Sequence, residues 1–243
     1  MKKLSISIIF DNKLQDGGGY QQSINEAVNL NKMCKGWVKL EYYTLYKENL
    51  STLKKYDIEA KLISLSNIDK IAAVLITNFL NPLLDKLPFN GDIKTPLELK
   101  LLRDKIDLIY FLSPNILAKQ IRNISYVLTI WDLCHKDHPE FPEIRNKNIF
   151  QKRERFYKSV IPKATAIICE SNINRKRISR NYLIDDDKIF VFPFKPSQIF
   201  SKKDSCNDQK FLKINEINKP YIFYPAQFWA HKNHIYILEA LKI

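Results

Sequence analysis

The stretch "LSISIIFDNKLQDGGGYQQSINEAVNLNKMC", Leu4–Cys34, sets the reading of the fold. Leu4–Phe10 is a short apolar run that Asp11 breaks, and no small-residue cleavage site follows it. It therefore reads as a first β-strand and not as a signal peptide. Beyond the loop, "YQQSINEAVNLNKMC" places Ile24, Ala27, Val28 and Met33 on one face of a helix. Between strand and helix stand Gly17, Gly18 and Gly19, three of the chain's five glycines. Glycine lets a backbone approach a ligand closely, and the helix that follows points free N–H groups at an anion. Both a tight turn and a phosphate- or substrate-facing loop fit these residues. A dinucleotide fingerprint does not. Counting from Gly17, its last glycine would fall on Gln22, and no ribose-binding acid closes the second strand, "LEYYTLY".

Outward from this unit the pattern repeats. Strand-like runs occupy Leu4–Phe10, Val38–Leu45, Ile58–Ile63, Leu108–Leu112, Tyr126–Trp131, Ala164–Cys169 and Ile189–Phe192. Several are continuously apolar, as in strands covered on both faces. Helix-period segments lie between them, including the basic amphipathic Asn148–Val160 and Asn174–Tyr182. The alternation predicts an α/β fold with a Rossmann-like parallel sheet, with ligands bound outside the carboxyl ends of the strands. After Pro193 the chain turns polar and weakly periodic. Residues 1–195 are expected to form one domain and 196–218 a linker, since a linker of that length belongs between domains. From 219 the strand–loop–helix pattern restarts, with a strand-like run at Tyr221–Tyr224 and a helix beginning near Asn233. The reading is of a second Rossmann-like domain, truncated at Ile243.

The net charge of +13 is the unusual feature of the composition, and 31 of the 39 basic residues are lysine. The lysines are scattered, with Arg175-Lys176-Arg177 the longest basic run. Nucleic-acid binders gather charge on one element and read bases largely through arginine, so this scatter argues against nucleic acid. It fits anionic lipid or phosphate substrates, or a lysine-rich coding bias with a solvated surface. Cys34, Cys134, Cys169 and Cys206 form no C-x-x-C pair, the pattern of reduced cytosolic thiols. The most apolar window, Ile71–Phe89, is interrupted by Asn78, Asn81, Pro82 and Asp85 before it reaches a membrane span. It is expected to be a buried helix, with a membrane-lying helix as the alternative.

Two further clusters carry chemistry. "TIWDLCHKDHPEFPE", Thr129–Glu143, packs Asp132, His135, Asp137, His138 and Glu140 into one loop after a strand. His135 and His138 are three apart, as are His231 and His234. Neither pair has the i, i+4 spacing around a glutamate that zinc helices use. A metal site, polar residues facing a cleft, and structural turn residues all remain open. In the tail, "PAQFWAHKNH" sets Gln227 and Lys232 around a loop, with Lys232 at a helix start, where a point charge and N–H donors suit a diphosphate.

Together the glycine loop, "DLCHKDHPEF", "AIICESNINRKRI", "KIFVFPF" and "YPAQFWAHKNHIYILEAL" resemble the family-four retaining glycosyltransferases of the two-domain GT-B fold, in the branch that builds bacterial surface polysaccharides. Many relatives have His-Asp where Trp131-Asp132 stands and arginine where Gln227 stands. The family's E-x7-E element has no counterpart in these residues. The resemblance implies transfer of a sugar, hexosyl or mannosyl, from a nucleotide-sugar to a saccharide or lipid-linked acceptor, without cofactor or obligatory metal. Asp132 and His135 would be catalytic. Lys232, Gln227, Gly18 and Gly19 would face the donor diphosphate, and Gly17, His138 and Glu140 the acceptor. The setting would be lipopolysaccharide or polysaccharide synthesis in the cytoplasm, peripheral on an anionic membrane. The isolated chain would be inactive. A non-catalytic remnant that binds saccharide, membrane or a partner protein is the alternative.

Overall fold

The structure, a computed structural model, describes residues 3–14, 18–34, 36–88, 91–195 and 208–242. Among them seven parallel strands form one sheet in the order β3-β2-β1-β4-β5-β6-β7. The strands are β1 Leu4–Phe10, β2 Val38–Thr44, β3 Ala60–Leu62, β4 Leu108–Phe111, β5 Ser125–Ile130, β6 Ala166–Cys169 and β7 Ile189–Val191. The larger helices between them are α1 Gly18–Met33, α2 Lys47–Lys54, α3 Asn67–Leu75, α4 Asn81–Leu84 and α5 Pro96–Arg103. α6 Cys134–Asp137, α7 Pro142–Arg145, α8 Ile149–Val160 and α9 Asn172–Tyr182 follow. The described residues near the end of the chain add α10 Asp208–Ile214 and α11 His234–Ala240. The fold is the α/β, Rossmann-like parallel sheet that the alternating pattern predicts.

The strand periodicity explains the two cores. In β1, Ile8 and Phe10 point to one face, where they meet Tyr42 of β2, Ile24 and Ala27 of α1, and Leu53 of α2. Ile9 points to the other face, with Ile109, Phe111, Leu128 and Ile130. There α5 contributes Leu97 and Leu101, α8 contributes Tyr157 and Val160, and α9 contributes Ile178. Each such side chain, fully buried, stabilises the fold by roughly 1.5–3 kcal/mol. Parallel pairing in full register ties β1 to β2 from Leu4↔Val38 to Phe10↔Thr44. Met33, expected on the apolar face of α1, is instead 69% exposed.

The chain divides into two compact units, Met1–Leu133 with Arg155–Pro196, and Cys134–Glu154 with Ser197–Ile243. The first holds the whole sheet. Two local expectations are corrected here. The window from Ile71 is no buried helix: α3, a π turn over Ile76–Leu80 and α4 leave its outer side in solvent. Tyr221–Tyr224 forms no strand among the described residues. A parallel strand exists only through bonds to neighbours, and none pairs with it. Its tyrosine hydroxyl donates instead to the Lys232 carbonyl at 3.0 Å.

Candidate functional site

The strand order reverses at β1. From there the chain runs out through β2 to β3 on one side, and β4 opens the series to β7 on the other. In such sheets the carboxyl ends of the two strands at the reversal frame a crevice. Asp11 is the first residue after β1, and Ser113 follows β4. The Ser113 hydroxyl donates to Asp11 Oδ1 at 3.4 Å. Burial drives the Asp11 carboxyl up to about 6, against a backbone hydrogen bond of its own and the bond from Ser113, which act in the opposite direction. A carboxyl that titrates there can hold or release a proton near neutral pH. The loop beyond it is clipped in place by Asn49, 2% exposed. Asn49 Oδ1 accepts from the Leu14 N–H at 2.9 Å, while its Nδ2 donates to the Asn12 carbonyl at 2.8 Å and to Thr44 Oγ1 at 2.9 Å.

Of the three glycines, Gly17 lies outside the described residues, and Gly18 is the first residue of α1. Gly19 has a packing reason to be glycine. A Cβ there would sit 2.4 Å from Cη2 of Trp131, the residue after β5. The same face carries a buried polar chain. Gln22 Nε2 and the Tyr110 hydroxyl each donate to Glu26 at 2.8 Å, and Thr129 Oγ1 donates to Tyr110 at 3.4 Å. Burial raises the Glu26 carboxyl, with the bonds from Gln22 and Tyr110 opposing. Asp132 follows Trp131, is exposed, and accepts the Tyr157 hydroxyl on its carbonyl at 3.5 Å. Gly19 and Trp131, with Asp132 next in sequence, are thus brought together beyond the carboxyl end of β5.

In the second unit the histidines of each H-x-x-H pair go different ways. His135 is fully buried and meets Glu154 at 2.8 Å, and Lys136 reaches the same carboxylate at 3.1 Å. In this arrangement its imidazole holds the loop in shape. His138 is exposed and contacts Glu140 at 3.2 Å. His231 bonds to Glu143 through both its ring and its backbone N–H, which draws the Glu143 carboxyl down. His138 and His231 both pack against the ring of Phe141, at 5.4 and 5.9 Å between ring centres. The middle loop and the tail therefore meet within this unit. His234 turns to the Ala226 carbonyl at 3.2 Å. Lys232 is exposed at the end of the turn Ala230–Lys232, one residue before Asn233, whose left-handed backbone (φ 48°) and side chain cap α11. Gln227, also exposed, accepts the Trp229 indole N–H. Among the described residues no three His, Cys, Asp or Glu side chains gather to hold a metal ion.

Asp11, Ser113 and Glu26 were not among the residues singled out by motif. For Asp11 the signal is present, as the acid that directly follows the first apolar strand. Glu26 lies inside a helix whose sequence marks a face only by Ile24, Ala27, Val28 and Met33.

The parallel sheet with its reversal beside β1 defines the class: a doubly wound, Rossmann-like α/β protein. No known protein family and no curated protein matches the chain. Solved structures do. A crystal structure of a glycosyltransferase from Rickettsia africae ESF-5 matches with a TM-score of 0.58 at 15% identity, over 99% of this chain and 57% of that one. Anabaena Alr3699/HepE in complex with UDP matches with a TM-score of 0.58 at 14% identity, over 98% of this chain and 57% of that one. The chain thus spans 57% of the length of each structure. At these identities the likeness is one of fold.

Proposed function

We propose that this chain is the acceptor-side part, with the beginning of the donor-side part, of a two-domain glycosyltransferase that moves a sugar from a nucleotide-sugar to a saccharide or lipid-linked hydroxyl. The observation that carries the reading is the strand reversal between β1 and β4, where ligands bind in sheets of this kind. It is framed by Asp11 and Ser113, in a fold like that of glycosyltransferases, one of them solved with UDP. In the proposed division, residues 1–195 bind the acceptor, 196–218 link, and 219–243 open the donor-binding domain. Retention at the anomeric carbon, the family-four assignment, a hexosyl or mannosyl donor and a role in surface-polysaccharide synthesis follow from the sequence resemblance. So does a place on the inner face of the cytoplasmic membrane.

The roles proposed are as follows. Asp11 and Asp132 face the acceptor, and Asp11 is poised to orient a hydroxyl and exchange its proton. Gly17 and Gly18 allow the backbone to come close. Gly19 does so too and makes room for Trp131. His135 positions the loop that carries Asp132, while His138 and Glu140 stand at its acceptor-facing rim. Lys232 and Gln227 meet the leaving diphosphate, where fixed charge is worth on the order of 3–4 kcal/mol in the transition state.

The test is a transfer assay with a panel of nucleotide-sugars and lipid-linked saccharides, products being read by mass spectrometry and anomeric NMR. The chain is assayed alone and joined to the donor-side domain of the Rickettsia glycosyltransferase. Transfer with retention by the joined protein, lost about 10²–10³-fold in Lys232→Ala, supports the reading. A folded joined protein that transfers nothing, or one indifferent to Lys232→Ala, contradicts it. The second reading is a binding module without turnover, favoured by the full burial of His135; it predicts saccharide binding with no transfer in either form.

A further inference from the structure

The most apolar segment of the sequence does not go inside. α3, the π turn Ile76–Leu80, α4 and the turn after it form one helical rod, and its outward side carries Ile68, Ile71, Leu75, Phe79, Leu83 and Leu87. These six are between 42 and 79% exposed. From Leu75 onward they recur every fourth residue, which outruns the 3.6-residue repeat of an α-helix. The wider π turn takes up the difference and keeps them on one side. At 1.5 Å per residue the ribbon is about 30 Å long. Its orientation is fixed. Ala73, Ile76 and Asn81 are buried on the inner side, and Asn81 holds Ile93 by both its N–H, at 2.9 Å, and its carbonyl, at 3.0 Å.

Cations line the rod's flank. A groove of about 270 Å³ has Thr77, Asn78 and Asn81 on the rod's side and Lys119, Arg122 and Lys163 on the other. Arg122 forks onto Asp85, and its bonds draw the Asp85 carboxyl down, with the charge of Lys163 adding to the effect. The groove's own lining holds three cations and one carboxylate, with Asp92 and the buried Glu98 acting on Arg122 from outside it. The Arg122 loop is pinned from beneath: the buried Glu98 accepts the Arg122 and Asn123 backbone N–H groups at 2.7 and 2.5 Å.

We propose that this rod docks flat on an anionic bilayer, the ribbon entering the acyl-chain boundary while Lys119, Arg122 and Lys163 meet headgroup phosphates. A continuous apolar ribbon one helix wide, flanked by cations, is the build of an interfacial helix, and no described helix is long and apolar enough to cross a membrane. The scattered excess of +13 complements the same anionic surface. The inference deepens the membrane part of the proposed function, and its test needs no sugar transfer.

The experiment is flotation of the purified chain with vesicles of phosphatidylcholine alone and of phosphatidylcholine with 30 mol% phosphatidylglycerol, at about 0.1 M salt. Binding to the anionic vesicles is expected. Phe79→Ser/Leu83→Ser should weaken it at least tenfold, and Lys119→Ala/Lys163→Ala about 30-fold, at about fivefold per lysine. Circular dichroism should be unchanged, because these side chains lie outside the core. Should the serine variant fail to fold, Phe79→Trp supplies a second reading, its emission shifting blue and being quenched by brominated lipid. No flotation of the wild type overturns the proposal, as does equal flotation of both double variants. So does a wild-type dimer that ignores vesicles and that Phe79→Ser/Leu83→Ser converts to monomer, which would assign the ribbon to a second copy.

Discussion

Asp11 and Gly19 show how single residues set the crevice. The Asp11 carboxyl titrates at about 6 in the folded chain, above its ordinary value, because burial disfavours its charge. The folded state therefore binds the proton more tightly than the unfolded state does. The resulting stabilisation is complete below about pH 4 and is lost as pH rises through about 6. Asp11→Asn removes this dependence. Urea denaturation at a series of pH values should show the variant gaining on the wild type by on the order of 2–3 kcal/mol between pH 4 and 7. A constant difference would mean that the carboxyl is not perturbed. Gly19→Ala should cost about 1–3 kcal/mol, the usual range for overpacking, because its Cβ would run into the Trp131 ring. Replacing Trp131 by alanine as well should recover most of that loss in a double-mutant cycle. Strictly additive effects would remove Trp131 as the cause.

At the scale of elements, the strands of the sheet were legible because each is a short apolar run closed by polar or turn residues, as in Leu108–Leu112 and Tyr126–Trp131. The bounds of β1 agree at both ends, while most others run one or two residues long in the sequence, since residues such as Trp131 continue the apolar run after pairing has stopped. Burial was less legible. Periodicity says which side of a helix is apolar, not whether anything covers it, so the window Ile71–Phe89 reads as interior although Ile71, Leu75, Phe79, Leu83 and Leu87 are exposed. Glu26 fails in the opposite direction. Its partners Gln22 and Tyr110 lie 4 and 84 residues away, Thr129 bonds Tyr110 in turn, and only the fold assembles them. Tyr221–Tyr224 had strand-like composition without a neighbour to pair with. That difference has a direct consequence for protection. β5 is bonded on both edges and buried, whereas α11 buries no residue and Tyr221–Gln227 joins no sheet. Hydrogen exchange should leave the β5 amides protected for hours while residues 219–242 exchange in seconds. Equal protection would mean that the tail is held by contacts other than those described.

For the molecule as a whole, the doubly wound sheet sets Asp11 and Ser113 at its strand reversal, where the saccharide acceptor is proposed to bind. For the proposed site the sequence points to the glycine loop and Asp132, but not to Asp11 and Ser113 at the reversal, because strand order is a property of the sheet and not of any one segment. The most direct measurement is NMR mapping of the isotope-labelled chain titrated with a panel of saccharide acceptor analogues. The account predicts shift changes at Asp11–Leu14, Gly18–Gln22, Ser113–Asn115 and Trp131–Asp132, and their marked weakening in Asp11→Asn. Perturbations confined to the amino-terminal ends of the strands, or none with any saccharide while the chain remains folded, would contradict it.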